Sequence, residues 1–185
     1  MLKKIGFILI SIFLIYQSYS IISILSEIKI NSFWLKLLLA YIINLFITGV
    51  FAFLVFALPI QKLVSNAYYT IKHPKRLKKI YNFLKVDSFR KILLATIWKN
   101  KAQRKRYFNG KQTGILILEM QSKKSEFGHL IPFIFIIAVC IYLIFLGLIT
   151  LAILTFIINI IGNFYPILLQ RHHRMRIQLL RKRMQ

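Results

Sequence analysis

Three side chains able to move protons or bind cations recur along one stretch of this chain. Glu119, Glu126 and His129 are spaced by seven and three residues, which on a helix places them along a single face. A second set, Asn163, Gln170, Arg171, Arg174 and Arg176, follows some forty residues later. Arginine forks grip carboxylates and phosphates. An amide inside an apolar run, as at Asn163, must hydrogen-bond across helices or to a ligand, at roughly 1 kcal/mol. Ionisable groups at a bilayer cost about 2.5–3.5 kcal/mol at its centre and less at its edge, so they have partners or a function. Other constellations are missing. There is no G-x-S-x-G elbow, no P-loop and no GxGxxG, which leaves covalent serine catalysis and nucleotide chemistry unsupported. His129, His172 and His173 with Glu126 are too few for a membrane di-iron centre, so neither a metal nor a cofactor is expected.

What must position these residues is a hairpin. Residues 127–170 carry no charged side chain. At 1.5 Å per residue this run would reach about 65 Å as a helix, whereas a bilayer core is about 30 Å thick. It should therefore cross twice, with a turn near Gly147, and bring both polar sets to one membrane surface. In that hairpin Glu126 lies level with Arg171, predicting an ion pair, and His129 should lie within reach of Gln170 or Asn163. Pro166 removes one helical hydrogen bond and should loosen the backbone beside Asn163.

The rest of the chain fits an all-α integral membrane protein. Of 185 residues, 58% are hydrophobic, more than a soluble domain of this size could bury. We expect a single membrane domain with four spans, about 5–25, 37–60, 129–145 and 150–169, a cytoplasmic loop 61–126 and a basic tail 171–185. The first run follows Met1-Leu-Lys-Lys4 and ends without a small-residue cleavage site, as in a retained signal anchor. Trp34 and Lys36 would anchor the second span, and Pro59 lies near its inner end. The lone cysteine, Cys140, can form no intramolecular disulfide and should pack as a small hydrophobe.

The net charge is +23, from 27 Lys and Arg against Glu27, Asp87, Glu119 and Glu126. Seventeen of the cations fall in 61–126 and six follow Gln170, whereas the loop between the first spans holds only Lys29 and Lys36. Positive residues favour the cytoplasm, which puts both termini and the central loop inside. Anionic lipid headgroups or an anionic substrate are the partners this implies, rather than nucleic acid. Within the loop, Leu77, Ile80, Tyr81 and Leu84 recur at helical spacing, reading as a helix on the membrane surface. Asp87 or Ser88 should cap a second, carrying Phe89, Ile92, Leu93 and Ile97. These helices either tile the inner leaflet or shape a vestibule. Phe108-Asn-Gly-Lys111 is a turn signal, and 115–125 should lead as one helix into the third span.

Two segments carry a resemblance. Lys123-Lys-Ser-Glu-Phe-Gly-His129, an apolar hairpin, and then Asn163-Phe-Tyr-Pro-Ile-Leu-Leu-Gln-Arg-His-His-Arg-Met-Arg176 together resemble the glycosyl-4,4'-diaponeurosporenoate acyltransferase family. That family comprises small bacterial membrane proteins that attach a fatty acyl chain to a glycosylated carotenoid acid, the last step to staphyloxanthin. Its pattern is matched at Glu126, His129, Asn163, Gln170, Arg171, Arg174 and Arg176. The chain departs from it at His172 and His173, which replace Tyr-Asn, at Met175, which replaces Pro, and at Leu130, which replaces Trp. The richness in Ile, Lys, Asn and Phe resembles a low-GC bacterial genome.

The resemblance implies an acyltransferase at the inner membrane face, working on a lipid or glycolipid acceptor and an acyl donor. His129 would be the general base, and Glu126 would orient the imidazole or pair with Arg171. Arg171 and Arg174 would hold donor phosphates or an anionic headgroup, and Asn163 and Gln170 would donate to the developing oxyanion. The rival expectation is a scaffold or lipid binder in which the same residues lock the hairpin.

Overall fold

A computed structural model describes residues 2–27, 29–96 and 112–184. The turn expected at 108–111 and the expected helical position Ile97 lie outside the described residues. Among those described there is no strand, and four stretches are helical, long and apolar enough to cross a membrane: Leu2–Ile24, Phe33–Ala57, Gly114–Phe145 and Ile149–Arg181. The chain is an all-α membrane protein.

Local sequence explains where the helices stop. Helix α1 is Leu2–Ile24 and α2 is Phe33–Ala57. Ser32 caps α2, its hydroxyl oxygen accepting from the Leu35 N–H at 3.4 Å. The helix ends short of position 60 because Leu58, which precedes Pro59, is pushed into an extended conformation (φ −127°, ψ 150°). After a 3-10 turn, Ile60–Leu63, come the short α3 (Asn66–Tyr69), then α4 (Pro74–Phe83) and α5 (Val86–Ala95). Pro74 occupies the start of α4, where its missing N–H costs nothing. Helix α5 begins earlier than an Asp87 or Ser88 cap would allow. Lys85 adopts the left-handed conformation (φ 50°) and closes the turn between α4 and α5. Asp87 instead sits in the first turn and pairs with Arg90 at 2.8 Å and Lys91 at 3.7 Å.

Helix α6, Gln112–Phe145, runs unbroken through the expected 115–125 segment into the apolar run, with Pro132 inside it. It ends at the predicted turn. The Leu148 N–H bonds the Leu143 carbonyl and the Gly147 N–H bonds that of Ile144, both at 2.9 Å. Gly147 has φ +74°, the left-handed position this cap assigns to glycine. Helix α7, Ile149–Asn159, then gives way to one π-helical segment, Ile160–Phe164, before α8, Tyr165–Met184. The wider turn falls just before Pro166, which has no N–H to give to the preceding turn. The basic tail is thus helical, continuous with the last span rather than separate from it.

The chain divides into two compact units, Met1–Ile60 with Phe127–Phe164, and Gln61–Glu126 with Tyr165–Gln185. In the first, α1 packs on α2 and α2 on α7. Its core includes Ile43, Ile47, Ile136, Leu143 and Leu151, with Cys140 packed among them. In the second, α4 and α5 pack on each other and on α8. Tyr81 is buried there against the His172 ring, stacked at 3.9 Å between centroids.

Candidate functional site

The expected residues fall into two polar clusters, one in each unit. In the first unit the π-helical segment carries Asn163, which is fully buried. Its Oδ1 lies 3.0 Å from Nδ1 of His129. Its Nδ2 donates to Thr48 Oγ1 at 3.0 Å and to Asn159 Oδ1 at 2.9 Å. Asn159 in turn donates to the Phe133 carbonyl at 3.0 Å. Both amide hydrogens of Asn163 are engaged, which fixes its orientation and presents oxygen to the histidine. An amide oxygen only accepts, so Nδ1 carries the proton, and a neutral His129 keeps its lone pair on Nε2. His129 is itself largely, but not fully, buried.

Helix periodicity builds this network. Thr155, Asn159 and Asn163 recur every four residues and so share a face, which is buried. Asn44 and Thr48 do the same on α2, and the Asn44 amide donates to the Thr155 carbonyl at 3.0 Å. Sequence reasoning singled out Asn163 and missed Thr48 and Asn159. The signal available was the repeat of amides and hydroxyls at four-residue spacing within otherwise apolar runs.

In the second unit Glu126 is fully buried and both its oxygens are taken by arginines. Oε1 accepts from Arg171 at 3.1 Å, which is the predicted ion pair. Oε2 accepts from Arg174. Arg174 is 1% exposed, and its other nitrogens donate to the Tyr69 carbonyl at 3.1 Å and to Ser122 Oγ at 3.2 Å. Its guanidinium also lies over the Tyr69 ring at 5.2 Å, and that of Arg171 over Tyr68 at 5.1 Å. Gln170 takes part through its backbone carbonyl, which accepts from Ser122 at 3.0 Å. Glu119 pairs with Lys123 at 3.0 Å and with Arg181 at 2.9 Å.

The charge of Glu126 reaches its neighbours. Burial first, and the carboxylate second, push the Tyr68 and Tyr69 hydroxyls up to about 12. Ser122, Tyr68 and Tyr69 were not singled out from sequence. The adjacent tyrosines sit far from Arg171 and Arg174 in the chain, and only folding places them there. Among the described residues, no group of three His, Cys, Asp or Glu is arranged to hold a metal ion.

Comparison with known proteins agrees with the family resemblance. The family profile described as glycosyl-4,4'-diaponeurosporenoate acyltransferase matches residues 65–183, well over half the chain, a span that includes Glu126, His129, Asn163, Arg171 and Arg174. Neither the curated proteins nor the solved structures compared with the chain gave a match. With 65–183 matched, this chain belongs to the glycosyl-4,4'-diaponeurosporenoate acyltransferase family.

Proposed function

We propose that this protein moves a fatty acyl group onto a hydroxyl of a glycosylated lipid or carotenoid at the cytoplasmic face of a bacterial cell membrane. Both termini and the basic 61–126 segment lie inside in this reading, held against anionic lipid by their charge. The observation that carries it is the His129–Asn163 pair. Asn163 Oδ1 holds the Nδ1 proton, leaving Nε2 as a directed base.

In the reaction Nε2 takes the proton of the acceptor hydroxyl as that oxygen attacks the acyl carbonyl carbon. The tetrahedral intermediate collapses, the bond to the donor's leaving group breaks, and the proton passes from His129 to that group. Asn163 acts as the orienting residue, since its two N–H groups are engaged by Thr48 and Asn159. Glu126 sets the position of Arg171, whose remaining donors bind the anionic part of a substrate.

The competing reading is a non-catalytic lipid binder locked by the same residues. What favours it is the full burial of Glu126 and Arg174. Acyl transfer by the purified protein in lipid separates the two. His129→Ala should lower the rate about 10²–10⁴-fold, the usual worth of a general base. Asn163→Leu should lower it as well, with His129→Ala melting close to wild type. Full activity in His129→Ala would end the general-base assignment.

A further inference from the structure

Beside Glu126 and Arg171 the second unit contains a cleft of about 320 Å³ whose walls include Tyr68, Lys72, His73, Arg76, Leu77 and Arg171. A second cavity, of about 700 Å³, shares Lys72, His73 and Arg76 with it and continues over Met175 and Leu179. Three features distinguish this place from an ordinary basic surface. First, the cations line a concavity of the size that takes small molecules. Second, no side-chain carboxylate among the described residues pairs with Lys72 or Arg76. Asp87, Glu119 and Glu126 are engaged by Arg90, Lys91, Lys123, Arg181, Arg171 and Arg174. Third, the N-terminus of α4 opens on the same wall, with no acidic residue in its first turn and no side-chain cap at His73. Its free N–H groups add the positive end of a helix dipole.

We propose that this cleft binds a phosphate-bearing ligand through Lys72, Arg76 and Arg171, and that the ligand is the acyl donor. The assignment to the donor rests on the acyl-transfer reading above; anion binding does not. Arg171 is 27% exposed and gives Nη1 to Glu126, so its other nitrogens are available to a phosphate. Glu126 thereby holds the guanidinium in place for the ligand. Lys72, in the bend before α4, and Arg76, in the first turn of α4, are both exposed, and together with Arg171 they line the cleft that takes the anion. The adjoining cavity, with Met175 and Leu179 in its wall, accepts the less polar part of the same molecule.

The test uses the full chain in phosphatidylcholine nanodiscs. One arm titrates coenzyme A and decanoyl-coenzyme A; a second replaces a tenth of the lipid with phosphatidylglycerol and repeats the titration. Lys72→Gln/Arg76→Gln should weaken decanoyl-coenzyme A binding about tenfold or more. Lys3→Gln/Lys4→Gln, which removes the same charge elsewhere, should change it less than about twofold. Equal weakening by both pairs would reduce the effect to net charge and overturn the cleft. Loss of decanoyl-coenzyme A binding in phosphatidylglycerol discs alone would reassign the ligand to the lipid headgroup and overturn the donor. His129→Ala should bind as wild type. Binding without any transfer would sink the proposed function and leave the cleft standing. Transfer with binding indifferent to Lys72 and Arg76 would do the reverse.

Discussion

Replacing Arg174 by methionine should destabilise this protein far more than its place in a substrate-binding motif would suggest. The arginine is 1% exposed and its partner Glu126 is fully buried. All three guanidinium nitrogens are engaged, by Glu126, Ser122 and the Tyr69 carbonyl. Methionine fills much of the volume and supplies none of the donors. Removing one member of a buried pair costs about 3–5 kcal/mol, because the remaining charge stays buried without its partner. Arg171, still 3.1 Å from the other carboxylate oxygen, retains part of the compensation and places the cost near the lower end, about 3 kcal/mol. For a chain of this length that is a fall in melting temperature of roughly 6–12 °C. Cys140 is the only cysteine and is buried, so a thiol-reactive fluorophore reports unfolding in detergent directly. Glu126→Gln/Arg174→Met should recover most of the loss, since it removes the charge as well as its partner. An Arg174→Met protein that melts with wild type but no longer transfers acyl groups would refute this reasoning and make Arg174 a substrate ligand.

Two further outcomes follow from the packing and the electrostatics. Burial raises Tyr68 and Tyr69 from 10.0 to about 12. A raised folded-state value means their neutral form contributes stability fully below pH 10, which is lost as pH rises towards 12. Tyrosinate absorbance should show a late phase that Tyr68→Phe/Tyr69→Phe diminishes, leaving the share of Tyr81, which burial also raises; a late phase unchanged by the double substitution would contradict it. On the α1–α2 contact, a Cβ at Gly49 would stand 2.8 Å from Leu14 Cδ1. Gly49→Leu should therefore cost about 1–3 kcal/mol by overpacking, and an undiminished melting temperature would show that the Leu14 side chain turns aside to admit it.

Helical register was legible from residue spacing alone, because side chains three, four and seven apart share a face whatever surrounds them. Apolar length against bilayer thickness was enough to fold 127–170 into a hairpin turning near Gly147, and so to pair Glu126 with Arg171 and bring His129 within reach of Gln170 or Asn163. Apolar length and the distribution of lysine and arginine likewise sufficed for four spans. The cap of α5 was not legible, since Lys85 takes a left-handed conformation that no residue type demands, and the turn between two packed helices imposes it.

Tertiary structure decided the roles. Spacing could not say that Arg174, rather than Arg171, becomes the fully buried partner of Glu126. That depends on Ser122 and on Tyr69, which lies more than a hundred residues from Arg174 and supplies both a carbonyl and an aromatic face. Nor could it say that the Asn163 amide hydrogens would be engaged by Thr48 and Asn159, leaving its oxygen to His129. The sequence by itself determined which polar groups lie on which helical face, because backbone geometry is local. Which of those groups meet, and which keep free donors for a ligand, was decided only by packing, because a buried donor or acceptor must be satisfied by whatever the fold places beside it.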